Sequence, residues 1–336
     1  MSIATTPFGR TGLVVSRLAL GTMTFGLQTE ESASHRILDK AAEAGITFLD
    51  TADAYPLGGT VETTGRTEEI VGRWLQAQGP AGRRRFIVAT KAVNKVGPNP
   101  WDQGASRKHL LDAIDASLAR LQTDHVDLYQ LHMDDRDTPL DESLEALDTI
   151  VRSGRARYVG VSNFMAWRIA RALGRSEVLR LAKFVSVQPR YSLLFREIER
   201  ELLPLAAEEG LAVIPYNPLA GGLLTGKYAP GSQPAEHARF TLGTAGAMYQ
   251  ERYWNDRAFS TVTALRKLAA EAGVPLATLA VAWVMANPVI TSPLLGASRP
   301  EQLDATIAAA EYKLDPALKH RLDELTAEYR KGDAPR

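Results

Sequence analysis

This chain of 336 residues repeatedly alternates short apolar runs with amphipathic helical segments. Each run is rich in β-branched or aliphatic residues, which is typical of buried strands, and each leads through a turn into a helical pattern. Eight candidate strands follow one another in this way, at residues 15–20, 46–50, 86–91, 126–131, 156–161, 184–188, 211–215 and 290–295.

The segments between these strands carry apolar residues at helical spacing. In residues 108–120, Leu110, Ile114 and Leu118 recur every four residues and so share one helix face. Strands joined by helices of this length pair in parallel through right-handed crossovers, and eight such units predict a closed (β/α)8 barrel of the TIM type. An open doubly wound sheet is the alternative architecture.

No change of composition divides the chain, so we expect one α/β domain over residues 1–336. Residues 1–14 precede the first strand, and Gly9 and Gly12 interrupt the segment from Phe8 to Val14. This pattern predicts an N-terminal hairpin at the barrel floor. Residues 316–329 predict a C-terminal helix outside the repeat. The longest stretch without a pattern, residues 219–257, is expected to be a functional loop.

Composition excludes several classes of protein. Lysine plus arginine (39) equals aspartate plus glutamate (39), so no net field favours nucleic acid or an anionic membrane. The absence of cysteine rules out disulfides and thiolate chemistry, and we predict no metal site. No secretory signal occurs in residues 1–10, and the apolar run at 276–286 is too short to cross a bilayer. We therefore expect a cytoplasmic, soluble protein.

Polar side chains at the carboxyl ends of the candidate strands are the ones to consider, because a barrel carries its chemistry there. Asp50, Lys91 and His132 end or follow three successive strands, and Tyr55 lies just beyond Asp50. Reduction of a carbonyl needs a proton at oxygen, and a phenol with a pKa of about 10 is a poor donor unless an ammonium such as Lys91 favours the phenolate. Asp50 would keep that ammonium charged, and His132 would orient the carbonyl or relay a proton.

Taken singly, each of these residues has a plainer explanation. Tyr55 and Lys91 would be solvated surface residues, Asp50 a turn cap and His132 a packing residue. Their joint position at the ends of successive strands favours a shared site, since closure of the barrel brings those ends together.

The residues around these positions form an ordered set of short motifs. They are GITFLDTADAY at 45–55, ATK at 89–91, DLYQLH at 127–132, GVSNF at 160–164, VQ at 187–188, PYNPL at 215–219, GLLTGK at 222–227 and GASRPEQL at 296–303. The set resembles the aldo-keto reductase superfamily, in its short-loop bacterial form, from about Phe8 to the end of the chain. The resemblance implies that Asp50, Tyr55, Lys91 and His132 form a catalytic tetrad.

The resemblance also implies an NADPH site. Tyr216 would stack on the nicotinamide ring, and the amides of the run from Leu219 to Lys227 would hold the pyrophosphate. Ser298 and Arg299, just before a helix opened by Pro300, suit the 2′-phosphate and favour NADPH over NADH. The cofactor contacts predicted in this way are Gly21, Thr22, Met23, Asp50, Ser162, Asn163, Gln188, Tyr216, Asn217, Pro218, Leu219, Gly221, Gly222, Lys227, Gly296, Ser298, Arg299 and Gln302.

The leading hypothesis is NADPH-dependent reduction of a small aldehyde or ketone, with Tyr55 as the proton donor. A regulatory module similar to the potassium-channel β-subunits is the alternative. A third hypothesis is a barrel hydrolase or isomerase that uses Asp50 or another carboxylate at a strand end, without a nicotinamide. Trp101, Met133, Trp167 and Phe195 are candidate pocket or packing residues. The pattern predicts neither the substrate nor the oligomeric state.

Overall fold

Eight parallel strands surround a central axis in the computed structural model, which describes residues 3–234, 236 and 238–330. The strands of the chain are β1 (Thr5–Pro7), β2 (Val14–Ser16), β3 (Ala19–Gly21), β4 (Phe48–Asp50), β5 (Ile87–Ala92), β6 (Val126–Leu131), β7 (Ala156–Ser162), β8 (Phe184–Gln188), β9 (Ala212–Val213) and β10 (Leu294–Leu295). The last eight form the parallel sheet and pair in the order β10-β3-β4-β5-β6-β7-β8-β9.

The two end strands of this sheet meet and close the barrel. A parallel bridge joins Val213 to Ile290, the amide of Thr291 donates to the carbonyl of Val213 at 2.8 Å, and the amide of Leu294 donates to Pro215 at 2.9 Å. Closure confirms the predicted (β/α)8 barrel and excludes the open doubly wound sheet.

Helices between the strands and after the last strand surround the barrel. They are α1 (Glu31–Glu43), α2 (Arg66–Ala77), α3 (Gly79–Arg83), α4 (Arg107–Leu121), α5 (Leu140–Arg152), α6 (Ala166–Leu179), α7 (Leu202–Glu209), α8 (Gly246–Tyr253), α9 (Asp256–Glu271), α10 (Leu276–Met285), α11 (Gln302–Ile307) and α12 (Pro316–Leu325). The predicted apolar face of α4 is buried at Leu110, Ile114 and Leu118. The predicted C-terminal helix is α12, and a short 3-10 turn follows it at Ala327–Arg330.

Side-chain caps explain where several helices begin. Ser106 accepts from the amide of His109 at 3.3 Å at the start of α4, and Asn255 accepts from Ala258 at 2.9 Å at the start of α9. Asp315 caps α12, in which a proline occupies the first turn. Each cap satisfies an amide that has no partner within its helix, and such contacts contribute about 1 kcal/mol.

The barrel floor is closed by a hairpin of β1 with β2, as predicted, although Met1 and Ser2 of the predicted segment lie outside the described residues. Phe8 follows β1 and is completely buried, with its ring 5.8 Å from that of Phe48 in an edge-to-face arrangement. The floor is therefore a packed apolar plug, and the open end of the barrel is the opposite one.

The predicted strand at residues 15–20 is two strands, so this prediction was wrong. Its first half belongs to the hairpin and only its second half, β3, enters the barrel. The chain turns between them because the Ser16 hydroxyl donates to Leu18 and accepts from the amides of Thr47 and Phe48. These partners lie far along the chain, and an alternating apolar pattern does not reveal them.

Other boundaries are also shorter than expected. The predicted strands at 211–215 and 290–295 are reduced to β9 and β10, and Pro293, which has no amide proton, precedes β10. The patternless stretch at 219–257 contains α8 and several 3-10 turns, within the part the structure describes. Its glycines and prolines conceal these elements from a search for periodicity.

Within the described ranges, no single helix has both the length and the apolar character needed to cross a membrane. One pair, α9 with α10, meets the criteria of length and composition together, but it bends by 92° at the break.

Candidate active site

The four residues predicted to be catalytic lie together at the carboxyl ends of β4, β5 and β6. The Lys91 ammonium contacts the Asp50 carboxylate at 2.6 Å, the carbonyl oxygen of Thr51 at 2.8 Å and the Tyr55 hydroxyl at 3.4 Å. The ring of His132 lies edge-to-face against that of Tyr55, with 5.6 Å between their centroids. Barrel closure thus joins side chains that are far apart in sequence.

The Asp50 carboxylate is held by more than its ion pair. Its other oxygen, Oδ1, accepts from the amide of Gln188 at 2.8 Å and from Gln130 at 3.2 Å. Asp50 and Lys91 are both buried, at 3% and 0% side-chain exposure, so the charge of each depends on these partners. The arrangement fixes the ammonium beneath the hydroxyl of Tyr55.

Opposing effects act on the pKa values of Lys91 and Tyr55. Burial would lower the pKa of Lys91, but the carboxylate of Asp50 and the neighbouring phenol outweigh it and raise that pKa. Burial raises the pKa of Tyr55, although Lys91 pulls it down. The ammonium therefore acts in the expected direction without bringing the pKa of the phenol below its ordinary value, and both groups keep their protons at neutral pH.

His132 is the neutral member of the group. Burial and the nearby charge of Lys91 hold the pKa of His132 well below its usual range. Its Nδ1 lies 3.0 Å from the amide nitrogen of Asn94, and its carbonyl accepts from Asn163 at 2.9 Å. A neutral imidazole carries one N–H, which can donate to a carbonyl oxygen.

A cleft of about 1500 Å³ opens above this group. Every residue predicted to contact the cofactor lines it except Thr22, whose hydroxyl is buried and donates to the carbonyl of Asp50 at 2.9 Å. Met133 lines the cleft, whereas Trp101, Trp167 and Phe195 do not. The cleft is large enough to hold a cofactor and a small substrate together.

Several residues that were predicted to contact the nicotinamide hydrogen-bond to one another. Tyr216 donates from its hydroxyl to Oδ1 of Asn163 at 2.8 Å, and Ser162 donates to the carbonyl of Gln188 at 2.8 Å. Asn217 has a positive φ of 64° and accepts from the amide of Gly221 at 3.2 Å, so it shapes the turn of the loop.

Two positively charged side chains, Lys227 and Arg299, lie near each other in the lining of the cleft. Burial and the nearby Arg299 lower the pKa of Lys227, and among the described residues neither cation has an ion-pair partner. The backbone amide of Ser298 donates to Oε1 of Gln302 at 2.8 Å. Helix α11 begins at Gln302 and has only six residues, so its N-terminus adds less to an anion site than expected.

Sequence reasoning missed Arg239, Tyr249 and Asn94, all of which line the cleft. Nη1 of Arg239 is buried and has no hydrogen-bond partner in the described part of the chain, and its guanidinium lies 5.5 Å from the ring centre of Tyr249. Both belong to the stretch at 219–257 that was expected to be functional, but nothing in its pattern singled them out. No cluster of histidine or carboxylate side chains suited to a metal occurs in residues 3–234, 236 and 238–330.

Comparison of the sequence with known proteins assigns the chain to a family. Residues 17–327 match the model of the aldo/keto reductase family, which covers most of the chain. This chain is an aldo/keto reductase. It is 42% identical over 325 residues to an uncharacterized oxidoreductase, YrpG, of Bacillus subtilis, covering 95% of each chain.

Two further relatives of this aldo/keto reductase carry different descriptions. A probable voltage-gated potassium channel subunit beta of Arabidopsis thaliana is 36% identical over 305 residues, with 90% of each chain covered. The L-glyceraldehyde 3-phosphate reductase of Escherichia coli is 34% identical over 305 residues, covering 90% of this chain and 86% of the relative. The family and its named oxidoreductases support reduction of carbonyl groups as the general activity.

Proposed function

We propose that this aldo/keto reductase uses NADPH to reduce an aldehyde or ketone to an alcohol, with Tyr55 as the proton donor. The observation that carries the proposal is the contact of the buried Lys91 ammonium with the Tyr55 hydroxyl at 3.4 Å, at the base of a large cleft. A bound nicotinamide cofactor supplies the hydride to the carbonyl carbon. Tyr55 gives its proton to the carbonyl oxygen, and Lys91 stabilises the phenolate that remains.

The charges of the cleft fit a cofactor with several phosphates. Lys227 and Arg299 lie near each other without a counter-ion among the described residues, and Arg239 holds an unpaired buried N–H. Like charges placed together are costly unless an anion compensates them. Arg299 would hold the 2′-phosphate, and Lys227 with the loop amides the pyrophosphate.

Replacement of Tyr55 by phenylalanine tests the proton donor. Tyr55→Phe should lower kcat/KM for an activated aldehyde by about 10²–10⁴-fold, because it removes the donated proton and leaves the ring in place. NADPH binding, followed by its fluorescence, should stay the same. Tyr158→Phe is the matched control, since Tyr158 packs among the apolar residues around Phe8 and Phe48. Full turnover by Tyr55→Phe would refute the assignment.

Replacement of Arg299 by alanine tests the choice of cofactor. Arg299→Ala should raise KM for NADPH by about 10- to 100-fold, as expected for loss of a hydrogen bond to a charged group, and should leave KM for NADH nearly unchanged. An equal loss with both cofactors would show that Arg299 does not read the 2′-phosphate.

A regulatory binding role is the second candidate, favoured by the relatives described as channel β-subunits. It predicts tight NADPH binding with a very slow single turnover over a broad panel of aldehydes and ketones. Rapid multiple turnover with any member of the panel would exclude it as the sole function.

A further inference from the structure

The side chain of Asn94 lies within hydrogen-bond distance of the imidazole of His132. Its amide nitrogen lies 3.0 Å from Nδ1 of His132. An amide N–H can only donate, so Nδ1 has to accept, and the one proton of the neutral ring is then on Nε2. Within residues 3–234, 236 and 238–330, no other hydrogen bond reaches either ring nitrogen.

We propose that Asn94 is a positioning residue that holds His132 in the tautomer with its proton on Nε2, ready to donate to the carbonyl oxygen of the substrate. The proposal deepens the reductase function and rests on it for the identity of the acceptor. The tautomer itself is a property of the ligand-free protein, so it can be measured whether or not the proposed reaction occurs.

The backbone before Asn94 supports this role. Val93 directly follows β5 and has a φ of 110°, a conformation that a β-branched residue adopts only under strain. Its side chain is buried, and its carbonyl accepts from the amide of Gly104 at 2.8 Å, so the surroundings hold it there. This turn follows directly on the strand of Lys91 and precedes the residue that contacts His132. Strain that is kept at such a position indicates a functional demand on the chain.

The other groups that face His132 do not set its tautomer. Lys91 acts through its positive charge, which disfavours a second proton on the imidazole. The ring of Tyr55 packs edge-to-face against the ring of His132 and makes no hydrogen bond to its nitrogens. The carboxylate of Asp50 accepts its hydrogen bonds from Lys91, Gln130 and Gln188. Asn94 is therefore the group whose replacement should change the tautomer.

The test is ¹⁵N NMR of the imidazole of His132 in the ligand-free full-length protein, with its signal identified by its loss in His132→Gln. Wild type should show the form protonated on Nε2. Asn94→Leu, which keeps the number and branching of side-chain heavy atoms but has no donor, should give a mixture of tautomers. In Asn94→Asp the carboxylate accepts, so the proton should move to Nδ1. A wild-type ring protonated on Nδ1, or a tautomer unchanged in Asn94→Leu, would overturn the proposal.

Kinetics provide the second readout. Asn94→Leu should lower kcat by about 10- to 100-fold, the usual effect of removing a group that orients a functional histidine, with little change in NADPH fluorescence titration. Asn94→Asp should gain activity as the pH falls, because a doubly protonated ring regains the N–H on Nε2. A pH profile identical to that of wild type would contradict this expectation.

Asn99→Ala is the matched control, since Asn99 is an exposed amide on the same loop and its side chain contacts Asp102 at 3.0 Å. It should leave both tautomer and kcat unchanged. If Asn99→Ala altered the tautomer as much as Asn94→Leu, a general change in the loop would explain the result and the positioning role would fail. If the tautomer results held while the wild type reduced no aldehyde or ketone with NADPH, the proposed reductase function would fail and the role of Asn94 in setting the tautomer would stand.

Discussion

Replacing Lys91 with methionine should lower the free energy of unfolding by about 3–5 kcal/mol, because it leaves a buried carboxylate without its cation. Methionine has a similar length and fills the same space. Asp50 would keep its two amide donors, Gln188 and Gln130, but no positive charge would remain beside it. The cost comes from the unpaired charge and not from a cavity.

The magnitude follows from the geometry of the pair. Two unit charges at 2.6 Å attract by about 6 kcal/mol at an effective dielectric constant of roughly 20. Taking the two ions out of water costs several kcal/mol each, so the intact pair contributes little net stability. Removing both charges in Asp50→Asn with Lys91→Met should therefore cost at least about 2 kcal/mol less than the sum of the single changes.

The assay is urea unfolding of the ligand-free chain for the wild type, both single variants and the double variant. Lys108 and Asp112 form the matched control, since they lie 2.5 Å apart but are 60% and 65% exposed. Lys108→Met should cost less than about 1 kcal/mol. If the Lys91 and Asp50 changes were additive within about 0.5 kcal/mol, the two residues would not be coupled, and the reasoning would be refuted.

Three further outcomes are expected. Burial raises the pKa of Asp53 well above its usual range, so the folded protein keeps a proton that the unfolded chain loses above about pH 4. The free energy of unfolding should therefore fall with rising pH by up to about 1.4 kcal/mol per pH unit. Asp53→Asn should remove that slope in unfolding curves measured from pH 5 to 7, and an unchanged slope in the variant would contradict the expectation. Gly72→Ala should lower the free energy of unfolding, measured by heating, by about 1–3 kcal/mol, because a Cβ would lie 2.2 Å from the carbonyl oxygen of Arg120. Gly174→Ala is the control and should not destabilise the protein, since a Cβ there would meet open space. Because the pKa of His132 is held low, kcat/KM should show no histidine ionisation between about pH 6 and 8, and a bend in that interval would disprove its neutrality.

Helices were more readable from the sequence than strands, and α4 shows why. Its apolar residues repeat on one face and Ser106 caps its start, so the prediction of 108–120 misses the observed Arg107–Leu121 by one residue at each end. The strand predicted at 15–20 failed because an alternating pattern does not say with which partner each half pairs. The contacts of Ser16 with Thr47 and Phe48 decide that, and they are long-range.

The residues of the candidate site also differ in whether the sequence could identify them. Asp50, Lys91 and His132 were identifiable because the barrel topology gathers strand ends, and topology follows from the repeat. Asn94 and Arg239 were not identifiable. Asn94 reaches His132 through a backbone turn that no residue pattern encodes, and Arg239 enters the cleft only through the folding of the long stretch at 219–257.

The raised pKa of Tyr55 is consistent with its proposed role, although the sequence suggested a lowered one. A donor with a raised pKa is protonated in nearly every molecule at neutral pH, before the substrate binds. In the proposed reaction Lys91, which lies 3.4 Å from a neutral hydroxyl, gains most of its interaction only as the phenolate forms, so it would bind the transition state more strongly than the ground state. Its removal should therefore lower kcat and kcat/KM together, with KM nearly unchanged. A rise in KM alone after Lys91→Met would mean that the ammonium binds substrate and does not assist proton transfer.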